Sequence, residues 1–286
     1  MEQISLLFIN ALTSISLLLI VSLGIAVTVG MMGVINLAHG ELVTIGAYTV
    51  VVITQAKVPL VIAMLAAPIV SGIFGLIIER LIIRRLYGRV IDTLLATAGL
   101  SMFLIQVTRL MFGSDSRSVQ MPLGSVTIGN TAIASYRLLT IVVAIALSLF
   151  TYLIFTRTRY GLEARAAISN PSMAAAVGIN ASQVNMWTFA FGSALAGIAG
   201  AMLAPFTAVT PSMSGLFMAR AFMTSLVGGP AIILGTATSA GVLGLVESVV
   251  AFATTTVFGQ VALLAFSVLL LRVFPKGISG NWGRSL

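Results

Sequence analysis

The chain has 286 residues, 59% of them hydrophobic and only 8% charged, with a mean hydropathy of +1.13, where a soluble globular chain carries roughly a quarter charged residues. This composition excludes a soluble enzyme or binding domain, and the lack of cysteine excludes a disulfide framework and a cysteine-ligated metal. The net charge of +8 does not point to nucleic acid: ten of the fifteen basic residues fall in three short segments, at Arg80, Arg84, Arg85 and Arg89, at Arg157, Arg159 and Arg165, and at Arg272, Lys276 and Arg284, which the positive-inside rule places in the cytoplasm.

Apolar runs at about 4–29, 42–56, 58–78, 91–112, 138–155, 184–204 and 231–274 predict an all-α, polytopic membrane bundle of about eight transmembrane helices. No link between them is long enough for a soluble domain, so residues 1–286 read as one transmembrane domain. No Lys or Arg precedes the first run and no cleavage site follows it, so it reads as a retained helix rather than a signal peptide.

Between Glu2 and Lys57 the only residues able to carry charge are His39, the one histidine, and Glu41. Gly24, Gly30, Gly33, Gly40 and Gly46 punctuate this region, and Asn36 joins His39 and Glu41 where the backbone is most easily interrupted, which predicts a broken helix near 36–41. An ionised Glu facing lipid costs roughly 2.5 to 3.5 kcal/mol on insertion scales, so Glu41 faces protein, water or an interface. Three roles fit the residues: a boundary pair bonded to backbone ends, a lining of a translocation path, or a proton relay. A zinc site does not, for two ligands fall short of the three or four required.

The next link, Phe112 to Ser135, is polar and rich in Gly and Ser, with a local turn at Met121-Pro122. The internal link at about 157–183 differs: Asn170-Pro171 marks a break, the alanines after it favour a short helix, and no charge lies between Ala166 and Ile179. A solvated loop should be charged. Ala174, Ala175, Ala176, Val177 and Ile179 form an apolar surface that either docks on a partner or rests on the protein's own underside.

In the following span, Gly192, Ala196, Gly200 and Ala204 recur at every fourth position beside a row of Ser193, Gly197 and Ala201, a face that admits close helix packing. Such faces need partners, which predicts a chain stable chiefly in a heteromeric complex. "GLFMARAFMTSLVGGP" is short for a span and predicts a short or re-entrant helix near 215–229, carrying Arg220. Gly235, Ser239, Gly241 and Gly244 repeat the small-residue device, and Glu247 reads as a boundary or packing carboxylate.

No phosphate loop, G-x-S-x-G elbow or H-E-x-x-H pair occurs. The chain reads as a passive conduit, not an enzyme, with its energy supplied from elsewhere.

The stretches "GVINLAHGEL" with "IGAY" (Gly33 to Tyr48), "RAAISNPSMAAAVGI" and "TFAFGSALAGIAGAM" (Arg165 to Met202), "VTPSM" (Val209 to Met213), "AFMTSLVGG" (Ala221 to Gly229) and "LLRVFPKGI" (Leu270 to Ile278) resemble the permeases of branched-chain amino acid and urea ABC importers. The likeness runs over nearly the whole chain, and "MGVINLAHGE", "NPSMAAAVGI" and "VTPSM" look closer to the first permease of the urea and short-amide branch. The resemblance implies a bacterial or archaeal inner-membrane subunit surrounded by lipid. Its partners are a homologous second permease, two cytoplasmic ATPases that bind ATP and magnesium, and a periplasmic or extracellular solute-binding protein. It places ATPase coupling in the 157–183 loop, at Arg165, Asn170, Pro171, Ala175, Gly178 and Ile179, while Asn36, His39 and Glu41 remain candidates for the pathway. The alternative is a stand-alone secondary transporter or channel for a small neutral solute.

Overall fold

A chain segment in hydrocarbon must satisfy its own backbone N–H and C=O groups, so long apolar runs fold as helices. The computed structural model describes residues 2–122, 124–128 and 131–281, so Arg284 lies outside the described residues. The helices are α1 Glu2–Met32, α2 His39–Gln55, α3 Leu60–Leu81, α4 Val90–Phe112, α5 Ser135–Arg157, α6 Arg159–Ser169, α7 Pro171–Ala176, α8 Ala181–Leu203, α9 Ser214–Gly228, α10 Ile232–Ala253 and α11 Thr256–Val273. Seven of these, α1, α3, α4, α5, α8, α10 and α11, are long and apolar enough to cross a membrane. The shorter α2 and α9, of 17 and 15 residues, pack among them.

Two local features differ from expectation. The interruption falls at 33–38, so Asn36 lies within it while His39 and Glu41 open α2. The link from Phe112 to Ser135, read from the sequence as polar with a local turn, also contains an antiparallel hairpin of β1 Ser125–Ile128 and β2 Thr131–Ala134, with Val126 opposite Ile133. The same link is tied to the segment after α8 by paired backbone bonds between Arg117 and Val209, at 2.9 and 2.7 Å.

Helix α8 is the axis of the bundle, and its small residues are the reason. A Cβ on Gly200 would lie 1.9 Å from the Val43 carbonyl of α2, one on Gly197 2.6 Å from the Ala67 carbonyl of α3, and one on Gly192 2.7 Å from Thr28 of α1. Ala196 is fully buried among them. Three helices therefore approach α8 at backbone distance. These faces are filled by the chain's own helices, so they give no ground for a heteromeric complex.

Helices α1 to α4 and α8 to α11 share one plan: a long helix, an irregular stretch (33–38 or 204–213), a short helix, then two more. The end of α1 and the start of α8 line one cleft beside Tyr87 and Pro171, so the two units run in opposite senses. The sequence carries a trace of this, Gly72-Ile-Phe-Gly75-Leu76 in α3 against Gly241-Val-Leu-Gly244-Leu245 in α10, each followed by a glutamate, Glu79 or Glu247.

Candidate translocation and coupling sites

Helix α1 ends where Gly33 adopts a φ of +64°, a conformation that disfavours other residues. The irregular backbone that follows is satisfied piecemeal. Leu37 N–H donates to Thr97 Oγ1 of α4 at 3.2 Å, and Ala38 N–H donates to Asn36 Oδ1 at 3.0 Å. His39 packs against Gly24, eight residues before the end of α1, or about 12 Å along that helix. The chain thus returns part-way up the bundle as irregular backbone, ending in a turn at 37–38, before α2 begins.

Asn36, His39 and Glu41 are 1 to 3% exposed. Residues two apart on a helix do not share a face, and the structure separates His39 from Glu41 accordingly. The imidazole occupies space left by missing side chains, where a Cβ on Gly24 would lie 2.6 Å from it. Glu41 turns toward α4 and α9, its Oε1 accepting from Ser101 Oγ at 3.0 Å and Ser214 Oγ at 2.7 Å. Asn36 Nδ2, both imidazole nitrogens and Glu41 Oε2 are buried without a partner among the described residues.

Ser214 opens α9 as Glu41 opens α2, so two helix N-termini meet at this carboxylate. From there α2 runs to Gln55, which accepts from Arg117 of the Phe112–Ser135 link at 3.1 Å, and α9 runs to Gly228, followed by Gly229 against Lys276 and Gly277. The positive ends of both helix dipoles favour negative charge between them. The sequence placed Glu41 at a break but could not supply Ser101, Ser214 or Thr97, which lie in other spans and resemble any polar helix residue.

In the segment between α5 and α8, Thr158 caps α6 by accepting from Gly161 N–H at 3.2 Å, and Asn170 caps α7 by accepting from Met173 N–H at 3.0 Å. Pro171 occupies the first turn of α7, where its missing N–H costs nothing. Gly178, with φ +88°, turns the chain toward α8. Tyr160 ties α6 to α8 through a 2.6 Å bond with Thr188, and burial pushes its hydroxyl up to about 12 although that bond opposes the shift.

The predicted coupling residues divide. Asn170, Pro171, Ala175 and Gly178 are exposed, whereas Ile179 is half-buried and packs against the buried cluster that includes Phe155, Ala164 and Val184. Arg165 is half-buried, bonded through Nε to the Gly161 carbonyl, and lines a cavity of about 350 Å³ with Met31, Phe155 and Pro230. Met173 and Val177, 62% and 69% exposed, dominate the outward face with Leu162 and Ile168 beside them. Met173 and the two α6 residues were missed, although Leu162 and Ile168 are apolar exceptions in the polar segment "RYGLEARAAIS".

A third group is the ion pair of Arg220 and Glu247, at 2.5 Å with side chains 13% and 12% exposed. Of the two readings of Glu247, this contact describes the packing one. Arg220 also stacks over Phe217, 5.1 Å from the ring centroid.

Multiple apolar spans, two interrupted elements meeting inside the bundle and a buried polar cluster at the meeting point define a polytopic membrane protein with the build of a transport subunit. The family model described as branched-chain amino acid transport system, permease component, matches residues 7–273, and the chain belongs to that family. It is 31% identical to the high-affinity branched-chain amino acid transport system permease protein LivH of Escherichia coli K12, over 95% of this chain and 94% of that protein. Identity to BraD of Pseudomonas aeruginosa is 31% over 96% of this chain and 94% of the relative. The probable LivH of Methanocaldococcus jannaschii is 27% identical over 93% and 90%. No solved structure matches the chain. These relatives are transport permeases, not enzymes, and their names do not support the closer likeness to the urea branch.

Proposed function

We propose that this chain is one of two homologous permeases forming the pathway of an ATP-driven importer of branched-chain amino acids in a bacterial or archaeal cytoplasmic membrane. The observation that carries the reading is end-to-end similarity to permeases of that name, over 93 to 96% of the chain. Residues 1–286 act as a single permease domain, a solute-binding protein delivers the amino acid outside, and two ATPases bind ATP and magnesium inside. Met173, Ala175 and Val177 dock in a groove of an ATPase, with Asn170-Pro171 and Gly178 fixing the ends of α7. Arg165 and Ile179 hold this unit to the bundle. The Asn36–Glu41 stretch flanks the pathway, with Glu41 anchoring it.

Uptake of labelled leucine and labelled urea, in cells carrying the complete transporter with and without this chain, tests the reading. Leucine uptake that requires the chain supports it. Urea uptake without leucine uptake sinks the substrate assignment, and uptake that persists without the ATPases favours a stand-alone carrier. Ala175→Arg and Gly178→Arg should leave insertion intact and abolish solute-stimulated ATP hydrolysis; full coupling in both, or crosslinks from position 175 that reach only this chain, would remove the docking assignment.

A further inference from the structure

One face of α1 presents Leu7, Asn10, Ser14, Leu17 and Val21 at helical spacing along a cleft, about 21 Å from first to last. Two cavities lie along it and share part of their lining. The outer, about 490 Å³, is closed by Arg137 of α5, by Phe206, and by Glu247, Ser248 and Phe252 of α10. The inner, about 80 Å³, is closed by Phe217, Arg220 and Glu247. Ser14, Leu17 and Glu247 line both. The inner chamber reaches Val21, less than a helical turn from the Gly24 against which His39 packs.

The charges in this cleft are placed as a ligand would require. Arg137 sits in the first turn of α5, and its described hydrogen bond is to the neutral Asn10 side chain. Glu247 lies six residues before the end of α10 and meets Arg220 from α9. Charged groups within spans are costly and mark solute paths. A structural pair needs neither a second guanidinium above it nor a chamber of this volume, which is ample for one small molecule. Leu7, Leu17, Phe206, Ala251 and Phe252 form the apolar part of the remaining wall, beside the hydroxyls of Thr13, Ser14 and Thr256.

Resting on the proposed importer function, we infer that this cleft is a binding station for a zwitterionic α-amino acid with an apolar side chain. Arg137 takes the carboxylate, Glu247 takes the ammonium while Arg220 holds it in place, and the aliphatic side chain lies against Leu17 and Phe206. An uncharged amide has no use for either ion.

The chain has no cysteine, so Ser248→Cys in the assembled transporter, in membrane vesicles with its binding protein, gives this chain a single thiol in the outer chamber, whose labelling is read on this subunit after the subunits are separated. Modification by an aqueous methanethiosulfonate reagent is followed with leucine or with 4-methylpentanamide, which keeps leucine's side chain and lacks both charges. Leucine at about ten times its half-protecting concentration should slow modification about tenfold, and the amide should not slow it. Arg137→Gln or Glu247→Gln should raise the leucine needed for half-protection about tenfold or more. The swap Arg220→Glu with Glu247→Arg keeps a pair but reverses the field, so the thiol should still react and leucine should no longer protect it. A thiol that never reacts, equal protection by amide and leucine, or protection retained in the swap would overturn the site. Wild-type leucine uptake without protection at 248 rejects this site alone, whereas absence of leucine uptake rejects the proposed function with it.

Discussion

At Glu41 a carboxylate is made tolerable within a bundle by two hydroxyls and two helix starts. Glu41→Gln keeps an acceptor for Ser101 and Ser214, while Glu41→Leu strands both hydroxyls at a cost on the order of 3 kcal/mol. Thermal inactivation of the purified transporter should therefore shift much further for Leu than for Gln, and leucine uptake should follow the same order. Equal, near-normal behaviour of the two variants would end the anchoring role. A second test is Tyr87, which donates to the buried Glu79 at 2.5 Å. Burial raises the Tyr87 pKa, and its bond and charge interaction with Glu79 raise it further, so the phenol remains a donor at physiological pH. Tyr87→Phe leaves Glu79 without this donor and should lower stability by about 1 to 3 kcal/mol, read as a drop in thermal inactivation temperature. The special residue was legible at Glu41 because it stands alone in apolar sequence. Its partners were not, since they lie 60 and 173 residues away.

The helices were legible wherever length and hydropathy decide them. Interruption of α1 and α2 was legible through glycine and polar spacing, though only to within a few residues, because the end of a helix depends on what satisfies the next N–H groups. The hairpin escaped notice, although β-branched residues flank Gly129-Asn130 on both sides, a pairing of turn and strand signals. The row of small residues in α8 was visible, but not which helices fill it, since the hollow on one helix says nothing of its occupant. Gly200→Leu should prevent α2 from seating and eliminate assembled transporter in detergent, because the added atoms meet backbone rather than a movable side chain. Gly241→Ala, where no atom lies within 4 Å of the added methyl, should be neutral or stabilise by up to about 1 kcal/mol. Similar behaviour of these two variants would show that α8 is not packed as described.

For the molecule as a whole, the arrangement predicts a distinct sidedness. In the cysteine-free background, Ser116→Cys should react with an impermeant maleimide applied to intact cells, and Ser172→Cys only after permeabilisation. The reverse pattern would invert the topology and remove α7 from the ATPase side. The expected orientation rests on the basic clusters of the sequence. The opposed relation of the two four-helix units was not legible, because its surviving trace is one short pattern in α3 and α10 while the connections between them differ in length and content. The Arg220–Glu247 pair was hidden for a similar reason: each residue looks like an isolated exception within its own span.

The meeting of α2 with α9 also sets an order of events during synthesis. Ser214 follows Glu41 by 173 residues, so at roughly 5 to 20 residues per second the ribosome supplies it about 9 to 35 s later. Throughout that interval α2 is in the membrane with its carboxylate only half satisfied, whatever α4 has contributed through Ser101. The nascent chain therefore cannot mature from its N-terminus in finished steps; α2 must wait, loosely seated, for a helix made near the end. A chain arrested before Ser214 should stay protease-sensitive around residues 33–41, and one released after α9 has emerged should acquire protection there.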